Sequence, residues 1–304
     1  MALRQETGGG RSVSRGYEVA RRDLATQGEM LEMSGVPVDS EKRIKASEYS
    51  GKPGYAAEEV ARDNAYVLSK QQEFHQEYCN KHGKLSFERY LIESKRNEAE
   101  QLEVLKTALF SKFFGDRAMV CRTALYDDIE NGVDNIIVDL ESGQPICAVD
   151  ELSEDKADFS DLPMESGPKE ILRVGAWFRK MIDRSNVLRE KASKIEHVNV
   201  CGGASIKYGV SYRNENKIPA LRQMSNIPKF LITLPPSIIR KAMDTYSSQG
   251  TKTPQERAVV DIILKELVAE AEIYMGNRDM PENMKIQLKT AHAFLTKERE
   301  LAKE

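Results

Sequence analysis

The stretch from Tyr126 to Glu151 (YDDIENGVDNIIVDLESGQPICAVDE) is rich in carboxylates and contains no lysine or arginine. It includes two short apolar runs, NIIVD and ICAVD, and Asp134 and Asp150 stand beside them. Neighbouring strands lie about 4.8 Å apart, so acids at adjacent strand ends come close enough to share a hard divalent cation. The same residue types also cap the turns of an ordinary solvated hairpin. The stretch therefore predicts either a metal site or the edge of a hairpin.

The surrounding pattern predicts the elements that would position these acids. Helices are predicted at about 56–83, 86–114, from 169 onward, 236–246, 254–275 and 281–302. Strands are predicted at about 118–125, 135–139, 146–149, 204–212 and 229–234. This order predicts an α/β (α+β) fold, in which a small mixed sheet with a three-strand meander is flanked by helices and helical extensions follow at both ends.

The order of elements and the acids together resemble the PD-(D/E)XK nuclease superfamily, whose core is a helix, a three-strand meander, a helix and a further strand. In this resemblance, Val133-Asp134 takes the place of the Pro-Asp pair that precedes the second strand. Asp150 follows the strand ICAV, where the second acid would be. Asp127 and Asp128 look like an acidic lead-in to the first acid. An acid from the first helix would be Glu98 or Glu103.

The resemblance implies a restriction-endonuclease-like core and phosphodiester hydrolysis. It implies Asp134, Asp150 and Asp128 as ligands of Mg²⁺ or Mn²⁺, an ion that activates water and offsets charge on the phosphate. The lysine of the motif is missing from its usual place, because Leu152 stands two positions after the second acid. Lys207, in the segment GASIKYG, is the candidate to replace it. The predicted catalytic residues are therefore Asp134, Asp150 and Lys207.

Charge is distributed unevenly along the chain. Residues 127–165 carry a net charge of -12, and residues 166–246 carry a net charge of +9. An acidic pocket beside a basic surface suits a protein that follows a phosphate backbone. The predicted nucleic-acid contacts on the long helix are Arg173, Arg179, Arg184 and Lys191. The alternative is that the basic segment only neutralises the acidic one within the fold.

His75, Cys79 and His82 recur at spacings of four and three on a predicted helix, which puts them on one face. Across seven residues at 1.5 Å each they spread over about 10 Å, so one zinc ion would reach only an adjacent pair. We therefore predict that they are surface or core polar residues.

Composition bounds the rest of the prediction. Residues 1–55 contain eight of the 19 glycines and little apolar periodicity, which predicts a disordered N-terminal arm. Residues 56–246 are predicted to form the α/β core with its N-terminal helices, and residues 247–304 a C-terminal helical hairpin. The sequence contains no apolar run of about 18 residues, so no membrane span is predicted. The four cysteines are widely spaced without a CxxC pair, which favours a reduced cytoplasmic protein.

Two functions of different classes follow from these patterns. The first is a divalent-metal-dependent, nuclease-like protein that acts on or binds nucleic acid. The second is a non-catalytic interaction or structural protein with a degenerate nuclease-like core, whose helical ends engage protein partners. The acid positions and the charge asymmetry favour the first function, and the displaced lysine favours the second.

Overall fold

The computed structural model of the chain describes residues 15–94, 98–151, 203–213, 218–232, 244–248, 250, 252–276 and 280–303. The predicted long helix from residue 169, the predicted helix at 236–246 and the four predicted nucleic-acid contacts lie outside these residues, apart from the last positions of the second helix.

The described part of the chain contains seven α-helices and six strands. The helices are α1 (Arg15–Met33), α2 (Ala57–His82), α3 (Phe87–Ser94), α4 (Glu98–Phe114), α5 (Leu125–Asn131), α6 (Pro254–Met275) and α7 (Glu282–Lys303). The strands are β1 (Ala118–Arg122), β2 (Asn135–Asp139), β3 (Pro145–Glu151), β4 (Ala204–Arg213), β5 (Ile218–Ile227) and β6 (Lys229–Ile232).

Four of the strands form one mixed sheet in the order β1-β2-β3-β6. The first three pair antiparallel as a meander, and β6 pairs parallel to β3. Strands β4 and β5 form a separate antiparallel hairpin. The predicted α+β class, with a three-strand meander and helices at both ends, is confirmed.

The mixed sheet is covered on both faces, because successive side chains on a strand point to opposite sides. On β2, Ile137 faces a core built with α1, α4, α6 and α7. Its neighbours Ile136 and Val138 face a second core, built with the β4–β5 hairpin and residues 36–60. The sheet therefore lies between a helical layer and a layer made of the hairpin and the N-terminal segment.

The prediction of a disordered arm over residues 1–55 is wrong from Arg15 onward. Helix α1 buries Tyr17, Ala20 and Leu24, whose spacings of three and four place them on one helical face. The following segment contributes buried residues to the second core, including Val38 and Tyr49. The inward-facing apolar residues of this segment reach both cores, although Met30 and Met33 are exposed.

The residues described within the predicted helix at 86–114 form α3 and α4. Two further details differ from the predicted elements. The acidic lead-in forms the short helix α5, which ends where Gly132 adopts a left-handed conformation. Strand β5 has no counterpart in the prediction, because its burial does not alternate and only Met224 and Ile227 on it are buried.

The C-terminal helices α6 and α7 pack against each other. They also share one continuous apolar core with α1, α4 and the sheet. Among the described helices, none has the length and apolar character needed to cross a membrane.

Candidate active site at the end of the mixed sheet

Asp134 and Asp150 meet at the same end of the mixed sheet. The Asp134 backbone N–H donates to the Val149 carbonyl at 3.0 Å, which sets Asp134 beside the last residues of β3. Burial raises the pKa of Asp150, and the negative charge of Asp134 raises it further, while Lys229 acts in the opposite direction. The two carboxylates therefore belong to one electrostatic unit, as neighbouring strand ends require.

Each of these carboxylates lies beside a lysine. Lys106 on α4 donates to Asp134 Oδ2 at 3.0 Å, and only 2% of the lysine side chain is exposed. Lys229 on β6 places Nζ 2.9 Å from Asp150 Oδ2, with 23% of its side chain exposed. Lys106 is thus a buried counter-ion, whereas Lys229 is accessible from solvent.

Gly132 keeps the end of α5 clear of this second ion pair. Its φ is +57°, a left-handed conformation that closes the helix and that glycine adopts without strain. A Cβ at this position would lie 3.2 Å from Lys229 Nζ and 3.5 Å from Asp150 Oδ2. A larger residue would therefore displace the lysine from the carboxylate.

Asp128 lies at the margin of the same unit. Its carboxylate accepts a hydrogen bond from Arg43 Nη1 at 3.1 Å. Burial raises the pKa of Asp128 to about 7; Arg43 opposes this, and the charges of Glu103 and Asp134 add to it. The effect of Asp134 on both Asp128 and Asp150 links all three predicted metal ligands electrostatically.

Glu103, an alternative acid from the first core helix, is held by arginines. Arg122 is fully buried and donates to both carboxylate oxygens of Glu103 at 2.7 Å. Arg43 also donates to both oxygens, at 3.0 Å. Burial alone would raise the pKa of Glu103, but Arg43 and Arg122 lower it to about 2. Glu103 therefore belongs to a buried ion-pair network and does not offer an open ligand position for a metal ion.

Lys207 and Asp127 belong to a neighbouring polar cluster. The Asp127 carboxylate accepts the backbone N–H groups of Lys207 at 2.7 Å and Tyr208 at 3.0 Å, which ties α5 to β4. The Lys207 ammonium lies 2.6 Å from Glu59 and 2.6 Å from Asp63, both on α2. Lys207 thus neutralises acids of α2, and the lysine beside Asp150 is Lys229.

Sequence analysis missed Lys229 and Lys106. Lys229 begins the apolar strand β6, and it reaches Asp150 only because β6 pairs parallel to β3. Lys106 carries no sequence signal, because it is one of several charged residues on α4.

The carboxylates of the candidate site meet the needs of a hard cation only in part. Within the described ranges, no three His, Cys, Asp or Glu side chains are grouped as a metal ion would require. However, Mg²⁺ is often held by one or two carboxylates and otherwise by water and substrate phosphate. Asp134 and Asp150 provide such a pair, and a cation would offset the charge of Asp134, which adds to burial in raising the pKa of Asp150.

Comparison with models of known protein families gives no match, and no curated protein or solved structure matches the chain significantly. The candidate site therefore rests on its own geometry.

Proposed function

We propose that the chain is a divalent-metal-dependent phosphodiesterase of the PD-(D/E)XK nuclease type, which acts on nucleic acid through Asp134 and Asp150. The observation that carries this proposal is the meeting of two carboxylates at one end of β2 and β3, with a solvent-accessible lysine 2.9 Å from the second. The helix α4, the meander β1-β2-β3 and the parallel pairing of β6 with β3 support it, because the resemblance implies a helix, a three-strand meander and a further strand. Helix α5 within the meander and the β4–β5 hairpin before β6 are additions to that order.

Each residue of the site has a distinct role in this proposal. Asp134 and Asp150 would hold Mg²⁺ or Mn²⁺, and Asp128 would lie at the margin. The bound ion would supply an activated water and offset charge on the phosphate. Lys229 takes the role predicted for Lys207, because its ammonium is both accessible and beside Asp150. Lys106 orients the Asp134 carboxylate from the buried side.

The non-catalytic alternative is supported by a specific observation. Both aspartates already have a lysine partner, Lys106 for Asp134 and Lys229 for Asp150. Satisfied ion pairs of this kind also occur as structural clusters that fix the relative position of helices and strands. In that case, the site would join α4, β3 and β6 without performing chemistry.

Cleavage of fluorogenic single-stranded DNA, double-stranded DNA and RNA, with Mg²⁺ or Mn²⁺, tests the proposal. We expect metal-dependent cleavage of at least one substrate, and a loss of about 100-fold or more in Asp134→Asn and in Lys229→Met, as for removal of groups that act on the reacting atoms. Lys207→Met is the matched control, because it removes a lysine paired with two acids outside the site. Absence of cleavage on all three substrates would favour the non-catalytic alternative.

A further inference from the structure

A turn in the N-terminal segment places a lysine in the interior. In this turn, the Lys42 N–H donates to the Asp39 carbonyl at 3.0 Å, and the Asp39 N–H donates to the Arg43 carbonyl at 2.9 Å. The Asp39 carboxylate accepts the N–H groups of Glu41 at 2.8 Å and Arg43 at 2.9 Å. Lys42 has a φ of +58°, in the left-handed region that a residue with a Cβ rarely adopts. The turn therefore directs Lys42 inward at a conformational cost.

The residues around this turn are fixed between α1 and β1. On α1, a Cβ at Gly28 would lie 2.7 Å from the Asp39 carbonyl oxygen, so only glycine permits this approach. On the other side, the Arg122 N–H donates to the Lys42 carbonyl and the Ile44 N–H donates to the Arg122 carbonyl, both at 3.0 Å. Residues 36–46, the edge segment, therefore pair with the edge strand of the mixed sheet.

The Lys42 amine is buried among neutral groups. Lys42 is only 4% exposed, and its Nζ donates to Ser111 Oγ on α4 at 2.8 Å and to Gln27 Oε1 on α1 at 3.0 Å. No carboxylate of the described residues forms an ion pair with it. An ammonium carries three N–H groups and a neutral amine carries two. The two acceptors therefore match the neutral amine, whereas an ammonium would leave one buried N–H without a partner.

The surroundings of Lys42 contain few groups that titrate. Burial lowers the pKa of Lys42 to about 8, and the Cys121 thiol on β1 has an opposing effect. Burial raises the pKa of Cys121 to about 11, so this thiol is neutral while Lys42 titrates. The groups that face Lys42 from α1 and α4 are an amide and a hydroxyl, which do not titrate. The charged residues of the same turn have other partners: Asp39, Glu41 and Arg43.

We propose that Lys42 is a pH-sensitive switch that controls how firmly the edge segment is held. The neutral amine anchors the turn to α1 and α4. Protonation places a charge and an unpaired N–H in the interior, which loosens the segment from β1. Arg43, the next residue, donates to Glu103 and Asp128, so the same change loosens its contacts with these acids. The switch itself does not depend on the proposed function.

The direction of the pH effect follows from the pKa of Lys42. The folded chain lowers it from 10.5 to about 8, so the unfolded chain binds the proton more tightly. The stabilisation is therefore complete above pH 10.5 and is lost as the pH falls through 8. Below that range the charged lysine remains a constant cost to the folded chain.

Urea unfolding of the native chain and of Lys42→Met, at pH 7 and at pH 9.5, tests the proposal. Methionine fills a similar volume without a charge, so the variant should be more stable than the native chain at pH 7. This advantage, expressed as a ratio of unfolding equilibrium constants, should become about tenfold smaller at pH 9.5. Lys45→Met, at a surface lysine paired with Glu32, is the control and should show no such change. A ratio for Lys42→Met that is the same at both pH values overturns the proposal.

Two further measurements do not rely on unfolding. In the native chain labelled with carbon-13 at the lysine Cε positions, one lysine resonance should titrate near pH 8, and midpoints that all lie above pH 10 overturn the proposal. Hydrogen exchange reports the loosening itself, because the Ile44 amide donates to β1. At pH 7 this amide should exchange about tenfold more slowly in folded Lys42→Met than in the native chain. Equal rates would show that protonation does not loosen the edge segment, and they contradict the switch.

Discussion

At the scale of single residues, the site is a balance of like and unlike charges. Asp134 raises the pKa of both Asp128 and Asp150, while Lys106 and Lys229 lie within 3.0 Å of two of these acids. Adding one cation or removing one carboxylate changes this balance, and each change alters the free energy of unfolding, which can be measured.

The first prediction concerns metal binding. Mg²⁺ or Mn²⁺ should raise the melting temperature, because the ion relieves repulsion between Asp134 and Asp150 in the folded chain only. At a metal concentration of about 100 Kd, the gain in unfolding free energy is about 2.7 kcal/mol. Asp134→Asn with Asp150→Asn should abolish the gain. The control is Asp139→Asn, at the other end of β2, which should retain the gain. Thermal melts with and without metal measure the shift. No shift in the native chain would contradict the metal site.

The second prediction concerns the pH dependence of stability. Because the folded chain lowers the pKa of Glu103 from 4.5 to about 2, its stabilisation is present above pH 4.5 and is lost as the pH falls through 2. Glu103→Gln leaves Arg122 and Arg43 partly unpaired in a buried network, so it should cost about 3–5 kcal/mol at pH 7. The free-energy cost of Glu103→Gln should become smaller as the pH falls from 5 to 2.

Urea unfolding at pH 7 and at pH 3 measures this change. Glu300→Gln, at an exposed glutamate on α7, is the control and should leave stability unchanged at both values. If Glu103→Gln lowers the unfolding free energy by the same amount at both pH values, the charge of Glu103 is not what stabilises the fold.

At the scale of elements, the N-terminal helix is part of the core. Helix α1 packs against α4, and Leu24 is completely buried between them and their neighbours. Removing a buried leucine side chain costs its transfer free energy and leaves a cavity. The helix therefore contributes to stability, although its sequence is polar on average.

A pair of substitutions on α1 tests this contribution. Leu24→Ala should lower the unfolding free energy by about 2–5 kcal/mol. Met33→Ala, at a residue on the same helix that is 89% exposed, should change it by less than about 0.5 kcal/mol. Equal effects in the two variants, measured by urea unfolding, would show that α1 does not pack as described.

Sequence patterns predicted the helices and strands that bury one face or both. These patterns did not predict contacts that depend on pairing between segments far apart in the chain. Helices α2, α6 and α7 and the strands of the meander have strong periodicity, and the convergence of Asp134 and Asp150 followed from adjacent strand ends. Lys229 was missed because the pairing of β6 with β3 is long-range. The start of the chain was misjudged because composition does not report which of its few apolar residues are buried.

At the scale of the whole molecule, the C-terminal hairpin and the sheet are one folding unit. The same apolar core includes Leu109 of α4, Val149 of β3, Leu264 of α6 and Leu288 of α7. A shared core couples the free energies of these elements, so they should not unfold separately.

We therefore expect one cooperative urea transition for the whole chain. Hydrogen exchange of amides on α7 and on β2 should give the same midpoint, because neither element retains its core without the other. Two separate midpoints would mean that residues 247–304 form a hairpin that unfolds independently of the sheet.

The parallel pairing of β3 with β6 also sets the order in which the site is made. Asp134 and Asp150 leave the ribosome well before Lys229, and at translation rates of about 5–20 residues per second the delay is several seconds. During that interval the nascent meander exposes two carboxylates without the β6 lysine, and closing so long a loop is slow compared with forming the hairpins. The contact between Lys229 and Asp150 is thus made only after β6 has emerged and paired with β3.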